Sequence, residues 1–139
     1  MYFSETPRDS FRILIVDDSP YVRESLGWLL RDEPGLTLAG DAANGSDAIC
    51  QAVKLNPDVV ILDIELPDAD GFTVTRQLKL LPDPPLVVLL SIHNDALSKQ
   101  RGAEAGCDAF VEKSSGWTQL LAVVKKVLAE KGPGFQPEA

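Results

Sequence analysis

Two kinds of hydrophobic pattern alternate along the chain, five times each. Ile13-Leu14-Ile15-Val16, Val59-Val60-Ile61-Leu62 and Leu86-Val87-Val88-Leu89-Leu90 are apolar at every position. Runs of that kind fit strands covered on both sheet faces. The stretches between them repeat apolar residues every three or four positions, as a helix with one buried stripe does. The first strand is expected over about Arg12 to Val16. Ser19 then caps a helix that opens with Pro20, where a missing N–H does no harm. Val22, Leu26, Leu29 and Leu30 share its inward stripe, and Pro34-Gly35 ends it. Leu36, Leu38 and Ala42 mark a second strand that alternates, so one less buried than the others. Ser46 to Leu55 reads as helix with Ala48, Ile49, Ala52 and Val53 inward, stopped by Asn56-Pro57.

The third strand, Val59 to Leu62, is followed by a helix after Gly71 that Pro82-Asp83-Pro84-Pro85 prevents from continuing. After the fourth strand, Asp95 to Ala105 makes a helix with Leu97 as its only large apolar side chain. Gly106 suits the left-handed residue that closes it. Ala109 to Glu112 is the fifth strand, and Trp117 to Lys131 the last helix, with Leu120, Leu121, Val124, Val127 and Leu128 inward. Strict alternation of strand and helix implies a parallel sheet with right-handed crossovers. The expectation is an α/β, flavodoxin-like, doubly wound domain of five strands and five helices. Residues 1–10 read as a lead-in, residues 11–131 as the domain, and residues 132–139 as a flexible tail after the break at Gly132-Pro133-Gly134.

Composition narrows the function classes. The 139 residues suit one domain with a full core. A net charge of -8 argues against a nucleic-acid footprint, which needs a basic face. Lys125, Lys126 and Lys131 read as a solvated helix face. Met1 to Ser10 has no apolar core of a secretion signal, and no apolar run approaches a membrane span, so a cytoplasmic location is expected. Cys50 and Cys107 lack metal-ligand spacing and read as two buried small apolar side chains.

Chemistry concentrates where the apolar runs stop. Asp17-Asp18 follows the first strand, Asp63 the third, Ser91 the fourth, and Lys113 the fifth. In an open parallel sheet those carboxyl ends form the crevice where ligands bind. Taken singly these residues say little: Asp17-Asp18 could be turn and cap, Lys113 a solvated strand end, and Ser91 alone points to no chemistry. Asp63 is the exception, because a charge at the end of a buried run needs a partner. Converging, they would form a divalent-cation site with an acceptor carboxylate and a phosphate clamp.

Five motifs in this order resemble the receiver domain of bacterial two-component response regulators. They are Val16-Asp17-Asp18-Ser19, Pro57-Asp58-Val59-Val60-Ile61-Leu62-Asp63-Ile64, Leu66-Pro67-Asp68-Ala69-Asp70-Gly71, Leu90-Ser91 and Ala105-Gly106-Cys107-Asp108-Ala109-Phe110-Val111-Glu112-Lys113. The resemblance covers about Phe11 to Lys131 and implies strand order 2-1-3-4-5. It implies that Asp63 takes a phosphoryl group from a sensor histidine kinase or a histidine phosphotransfer protein, with Ser91 and Lys113 as its catalytic partners. It further implies Mg²⁺ held by Asp18 and Asp63 directly, by Asp17 through water, and by the Glu65 backbone carbonyl. Phe110, otherwise a core residue, would swing inward after Ser91 moves. Glu65 and His93 would tune the lifetime of the phosphoaspartate, although His93 alone reads as an exposed loop residue. The implied protein is a self-phosphorylating switch and not an enzyme acting on a separate substrate. A phosphorylation-dependent homodimer is consistent with it; direct nucleic-acid or membrane binding by this chain is not expected.

Departures from the pattern are Ser114 after Lys113, where proline is common, and Ser91 in place of threonine. Gly35-Leu36-Thr37-Leu38-Ala39-Gly40 with Ala43-Asn44-Gly45 is similar to a branch that carries a C-terminal helix-turn-helix. Eight residues follow Lys131, so a free-standing receiver or a piece of a longer regulator is expected. Two alternatives remain: a receiver-like docking module that works without phosphate, and a haloacid-dehalogenase-type phosphatase. The second places its nucleophile first and its acidic pair last, the reverse of the order here. An EF-hand frame on Asp68-Ala69-Asp70-Gly71 would put Leu66 first and Gln77 twelfth, and fails. No Gly-rich phosphate loop follows the first strand.

Overall fold

The computed structural model describes residues 10–93 and 95–131. Residues 1–9 of the expected lead-in, Asn94 and the expected tail 132–139 lie outside the described residues. The element order is β1 (Phe11–Val16), α1 (Pro20–Arg31), β2 (Leu36–Ala42), α2 (Gly45–Leu55), β3 (Val59–Asp63), α3 (Gly71–Lys79), β4 (Leu86–Ser91), α4 (Ala96–Ala105), β5 (Ala109–Glu112) and α5 (Trp117–Lys131). One turn of 3₁₀ helix, Lys113–Ser115, joins β5 to α5 and was not expected from the sequence. The strands form one sheet in the order β2-β1-β3-β4-β5, and every pairing is parallel.

Alternation along the continuous apolar strands sends residues to opposite faces, because successive side chains in a strand point opposite ways. Ile13, Ile15, Val59, Ile61, Val88 and Leu90 pack against α1 and α5. Leu14, Val16, Val60, Leu62, Val87 and Leu89 pack against the side covered by α2, α3 and α4. The helix starts follow the expected cap chemistry. Ser19, Asn44, Asp70 and Asp95 each accept a backbone N–H from the first turn of the helix that follows. Gly106 takes the left-handed conformation at the end of α4, with φ 101°. Asn56 does the same at the end of α2, with φ 49°.

Two inward assignments in α2 are corrected: Cys50 is exposed, because at about 100° per residue it lies nearly opposite the buried stripe, and Val53 is the second. Val53 is exposed, whereas Gly45, Ala48 and Ala52 are the buried positions of α2. At about 100° per residue, Val53 lies roughly a third of a turn from the centre of that stripe. β2 is less buried than its neighbours, as its alternation implies: Leu36 and Ala42 are buried and Leu38 is exposed.

Candidate functional site

The register of the sheet brings the polar residues together. Val16 pairs with Leu62, so Asp17 and Asp63 succeed one another across neighbouring strands. Asp63 itself pairs with Leu90, and Ser91 with Glu112, which sets Ser91 and Lys113 at the same end. Asp17 is 1% exposed, Asp63 5% and Ser91 2%, whereas Asp18 faces solvent. One carboxylate oxygen from each of Asp17, Asp18 and Asp63 lies within 4.8 Å of the others.

Lys113 ties the cluster together. Its Nζ donates to Asp17 Oδ2 at 3.0 Å and to Asp63 Oδ2 at 3.2 Å. The remaining oxygens are held by the backbone: Ser19 N–H donates to Asp17 Oδ1 at 2.9 Å and Glu65 N–H to Asp63 Oδ1 at 3.2 Å. Arg23 Nη1 donates to the Asp17 carbonyl at 2.7 Å and fixes the turn after β1. Both oxygens of Asp17 are thus engaged by protein groups, whereas Asp18 is the exposed member of the cluster.

Two buried carboxylates share one ammonium, and the excess negative charge shows in Asp63. Burial, and then the charge of Asp17, push its carboxyl up to about 6, although the Glu65 N–H and Lys113 pull the other way. For Lys113, burial opposes the charge, but the hydrogen bonds and charges of Asp17 and Asp63 outweigh it and raise the ammonium above its ordinary value. Lys113 therefore stays cationic at neutral pH.

Ser91 sits beside this network in its own loop, where its Oγ accepts the His93 N–H at 2.8 Å. Above it, His93 Nε2 lies 3.4 Å from Glu65 Oε2, with both side chains more than half exposed. The rim pair therefore joins the residue two after Asp63 to the residue two after Ser91. The peptide bond after Lys113 is trans, as are all described peptide bonds.

The loop after Asp63 is held from both ends. A Cβ on Gly71 would lie 2.7 Å from Ile64 Cα and 2.8 Å from the Asp63 carbonyl oxygen, so only glycine fits there. Asp70 caps α3 through the Thr73 N–H at 2.8 Å. Asp68 crosses to α2 and accepts the Gly45 and Ser46 N–H groups at 2.7 and 3.0 Å. Those bonds hold the Asp68 carboxyl below its ordinary value. Sequence reasoning missed the roles of Asp68 and Arg23. The partners of Asp68 lie 22 and 23 positions away, so no local motif marks them. Arg23 could have been found as a basic residue one turn into the helix that follows the acidic pair.

A doubly wound sheet of order 2-1-3-4-5, with acidic residues and a lysine gathered at its carboxyl edge, places the chain in the class of flavodoxin-like α/β folds. The chain belongs to the response regulator receiver domain family, whose model matches residues 13–125. It is 38% identical over 103 residues to a protein-glutamate methylesterase/protein-glutamine glutaminase of Alkalilimnicola ehrlichii, over 73% of this chain and 26% of that protein. A two-component response regulator of the LuxR family from Aurantimonas superposes with a TM-score of 0.83 at 28% identity, over 88% of each chain. The response regulator domain of Thermotoga maritima CheB superposes with a TM-score of 0.75 at 26% identity, over 85% of this chain and 93% of that one. The chain spans 26% to 56% of the length of the first curated relatives it matches. Phosphoryl acceptance and Mg²⁺ binding at an acidic pocket are general to the family. Among the described residues no helix is long and apolar enough to cross a membrane.

Proposed function

We propose that this protein is a phosphorylation switch of a two-component system in which Asp63 is the phosphoacceptor. The observation that carries this reading is the single ammonium of Lys113 shared between buried Asp17 and Asp63 within an acidic triad. Such a site positions a nucleophile and neutralises spread charge, which is most of what phosphoryl transfer asks of a protein. With its carboxyl at about 6, Asp63 is mostly ionised at neutral pH and able to attack.

In the transfer, an Asp63 oxygen forms a bond to phosphorus while the bond from phosphorus to the donor's imidazole nitrogen breaks. The electron pair stays on that nitrogen; with a proton on its other ring nitrogen the donor leaves as neutral imidazole, and Asp63 becomes an acyl phosphate. Lys113, already within hydrogen-bond reach of Asp63, shifts to a phosphoryl oxygen, and the Ser91 hydroxyl turns to donate to another. The oxygen donor set suits Mg²⁺, which prefers oxygen ligands and keeps some waters. Asp18 and Asp63 would hold it directly, Asp17 through water and Glu65 through its carbonyl; bound there, it neutralises phosphoryl charge. The near-complete burial of Asp17 beside the exposed Asp18 supports that division between the two neighbours. Glu65 and His93 form the rim that controls the access of water to the acyl phosphate.

The donor is a sensor histidine kinase or histidine phosphotransfer protein, and the setting is the cytoplasm. The chain acts as a switch and has no separate substrate; its output is a partner or a further domain, including a phosphorylation-dependent homodimer, and not direct contact with nucleic acid. Acetyl phosphate with Mg²⁺ tests the reading. Wild-type protein should gain one acid-labile phosphate, and Asp63→Asn none. Wild-type labelling of the variant would remove Asp63 from its role, and an unlabelled wild type would favour the phosphate-independent docking module.

A further inference from the structure

Away from the acidic pocket, one lateral face is unusually equipped for contact. α1 turns a stripe of Pro20, Arg23, Glu24, Gly27, Trp28 and Arg31 toward β2, the edge strand of the sheet. With Leu38 and Asp41 these residues line a shallow groove of about 670 Å³. Trp28 is 60% exposed and Leu38 40%, although both are large apolar side chains. An exposed tryptophan beside arginine is the composition of an interface centre, where Trp and Arg carry much of the binding energy. The Arg31 guanidinium lies 4.5 Å from the Trp28 ring, so the aromatic plane is already stacked and oriented. Gly27 has no side chain to fill the groove: a Cβ there would meet Leu38 at 3.5 Å.

The charges on this stripe are arranged to match themselves. Glu24 and Arg31 lie seven positions apart, two helical turns, so they are on one face but beyond each other's reach. Their midpoint falls at Gly27 and Trp28. If a second α1 is laid antiparallel across that midpoint, Glu24 of each copy meets Arg31 of the other. An isologous two-fold contact requires this property, that residue i meets j while j meets i. Arg23 takes no part, because it is committed to the Asp17 carbonyl and to Asp41 at 3.6 Å. The outer edge of β2 carries no charge from Leu36 to Gly40, so it lacks the lysines that usually discourage association at an edge.

We propose that the α1–β2 face is a symmetric homodimer interface, with Glu24 of one copy paired to Arg31 of the second copy around a centre of Trp28 and Leu38. The contact does not depend on the chemistry of the acidic pocket. A helix face with two ion pairs and two tryptophans gives a modest, salt-sensitive association.

Sedimentation velocity of the full chain at low salt, over a concentration series, tests it. Wild type should show a monomer–dimer equilibrium. Glu24→Arg alone and Arg31→Glu alone should each weaken it by about tenfold or more, since each sets like charges opposite one another. The deciding arm mixes the two variants: both cross-pairs are then of opposite charge, and a heterodimer should form at concentrations where each variant alone is monomeric. The double variant Glu24→Arg/Arg31→Glu should regain self-association. Trp28→Ala should lose it, with circular dichroism confirming that the fold is kept. A wild type that stays monomeric throughout, or a mixture that fails to associate, overturns the proposal. So does a dimer indifferent to both charge reversals.

Discussion

The centre of the sheet and the α4 side of its β4–β5 flank hold their helices in very different ways. β1 and β3 carry Asp17 and Asp63 on strands whose side chains are buried on both faces, and α1 covers one face with Leu26 and Leu30. α5 is anchored as firmly, by Leu120, Leu121, Val124, Val127 and Leu128. α4 buries only Gly102 and Ala105, and its one large apolar residue, Leu97, is 65% exposed. Gly102 lets the helix lie close to Leu89, Cys107 and Phe110, where an added Cβ would fall 3.2 to 3.3 Å from their side chains. Few apolar contacts mean a low local cost of displacement. Asp17 and Asp63 are therefore set in the densely packed part of the molecule, and Ser91 and Phe110 lie toward the thinly packed α4. A phosphoryl group can bias such a flank only through what it contacts differently in two states.

The contrast in anchoring has its largest consequence for stability. Leu62→Ala, in the centre, should cost about 2–5 kcal/mol, as deletion of fully buried leucine side chains does. Leu97→Ala on α4 should stay within about 0.5 kcal/mol of wild type. Urea unfolding of both variants checks the pair; comparable losses would erase the distinction between the two regions.

The rigid pocket also stores unfavourable charge. The folded chain holds the Asp63 proton more tightly than the unfolded chain, with a carboxyl at about 6 against an ordinary value of 3.8. That favours folding at low pH, and the advantage is lost as pH rises through about 6. Above that range ionised Asp63 is a cost. Asp63→Asn should therefore stabilise the metal-free protein on the order of 1–3 kcal/mol near pH 7.5. The gain over wild type should vanish toward pH 4, in thermal melts with a chelator present.

A smaller difference separates the two neighbouring aspartates. In a Mg²⁺ titration Asp18→Ala should weaken binding about tenfold more than Asp17→Ala, because loss of a direct ligand outweighs loss of a water-mediated one. Equal losses would contradict the division of labour between the exposed and the buried carboxylate.

Much of this was legible in the chain. The cores of β1, β3 and β4 announced themselves as uninterrupted apolar runs and β2 by its alternation, and Asp17, Asp63 and Ser91 stood where those runs stopped. The weakness of α4 was visible in its small and polar composition. What the sequence hid was non-local or finely angular. Val53 looked inward because it adjoins Ala52, but one helical step carried it to solvent. Asp68 caps a helix that precedes it by more than 20 residues. The Glu65–His93 pair forms only when β3 and β4 lie side by side.

The central claim, that phosphorylation at the rigid centre is read out at the loosely held flank, is tested most directly by amide NMR with and without beryllofluoride and Mg²⁺. Beryllofluoride would stand in for the phosphoryl group at the proposed acceptor, Asp63. Wild type should show large shifts over residues 95–105 and across β5, with β1 beyond the pocket nearly unchanged. Phe110→Ala should keep the shifts beside Asp63 and lose much of those in α4. Unchanged α4 resonances in the wild type, or full-sized α4 shifts in Phe110→Ala, would contradict the account.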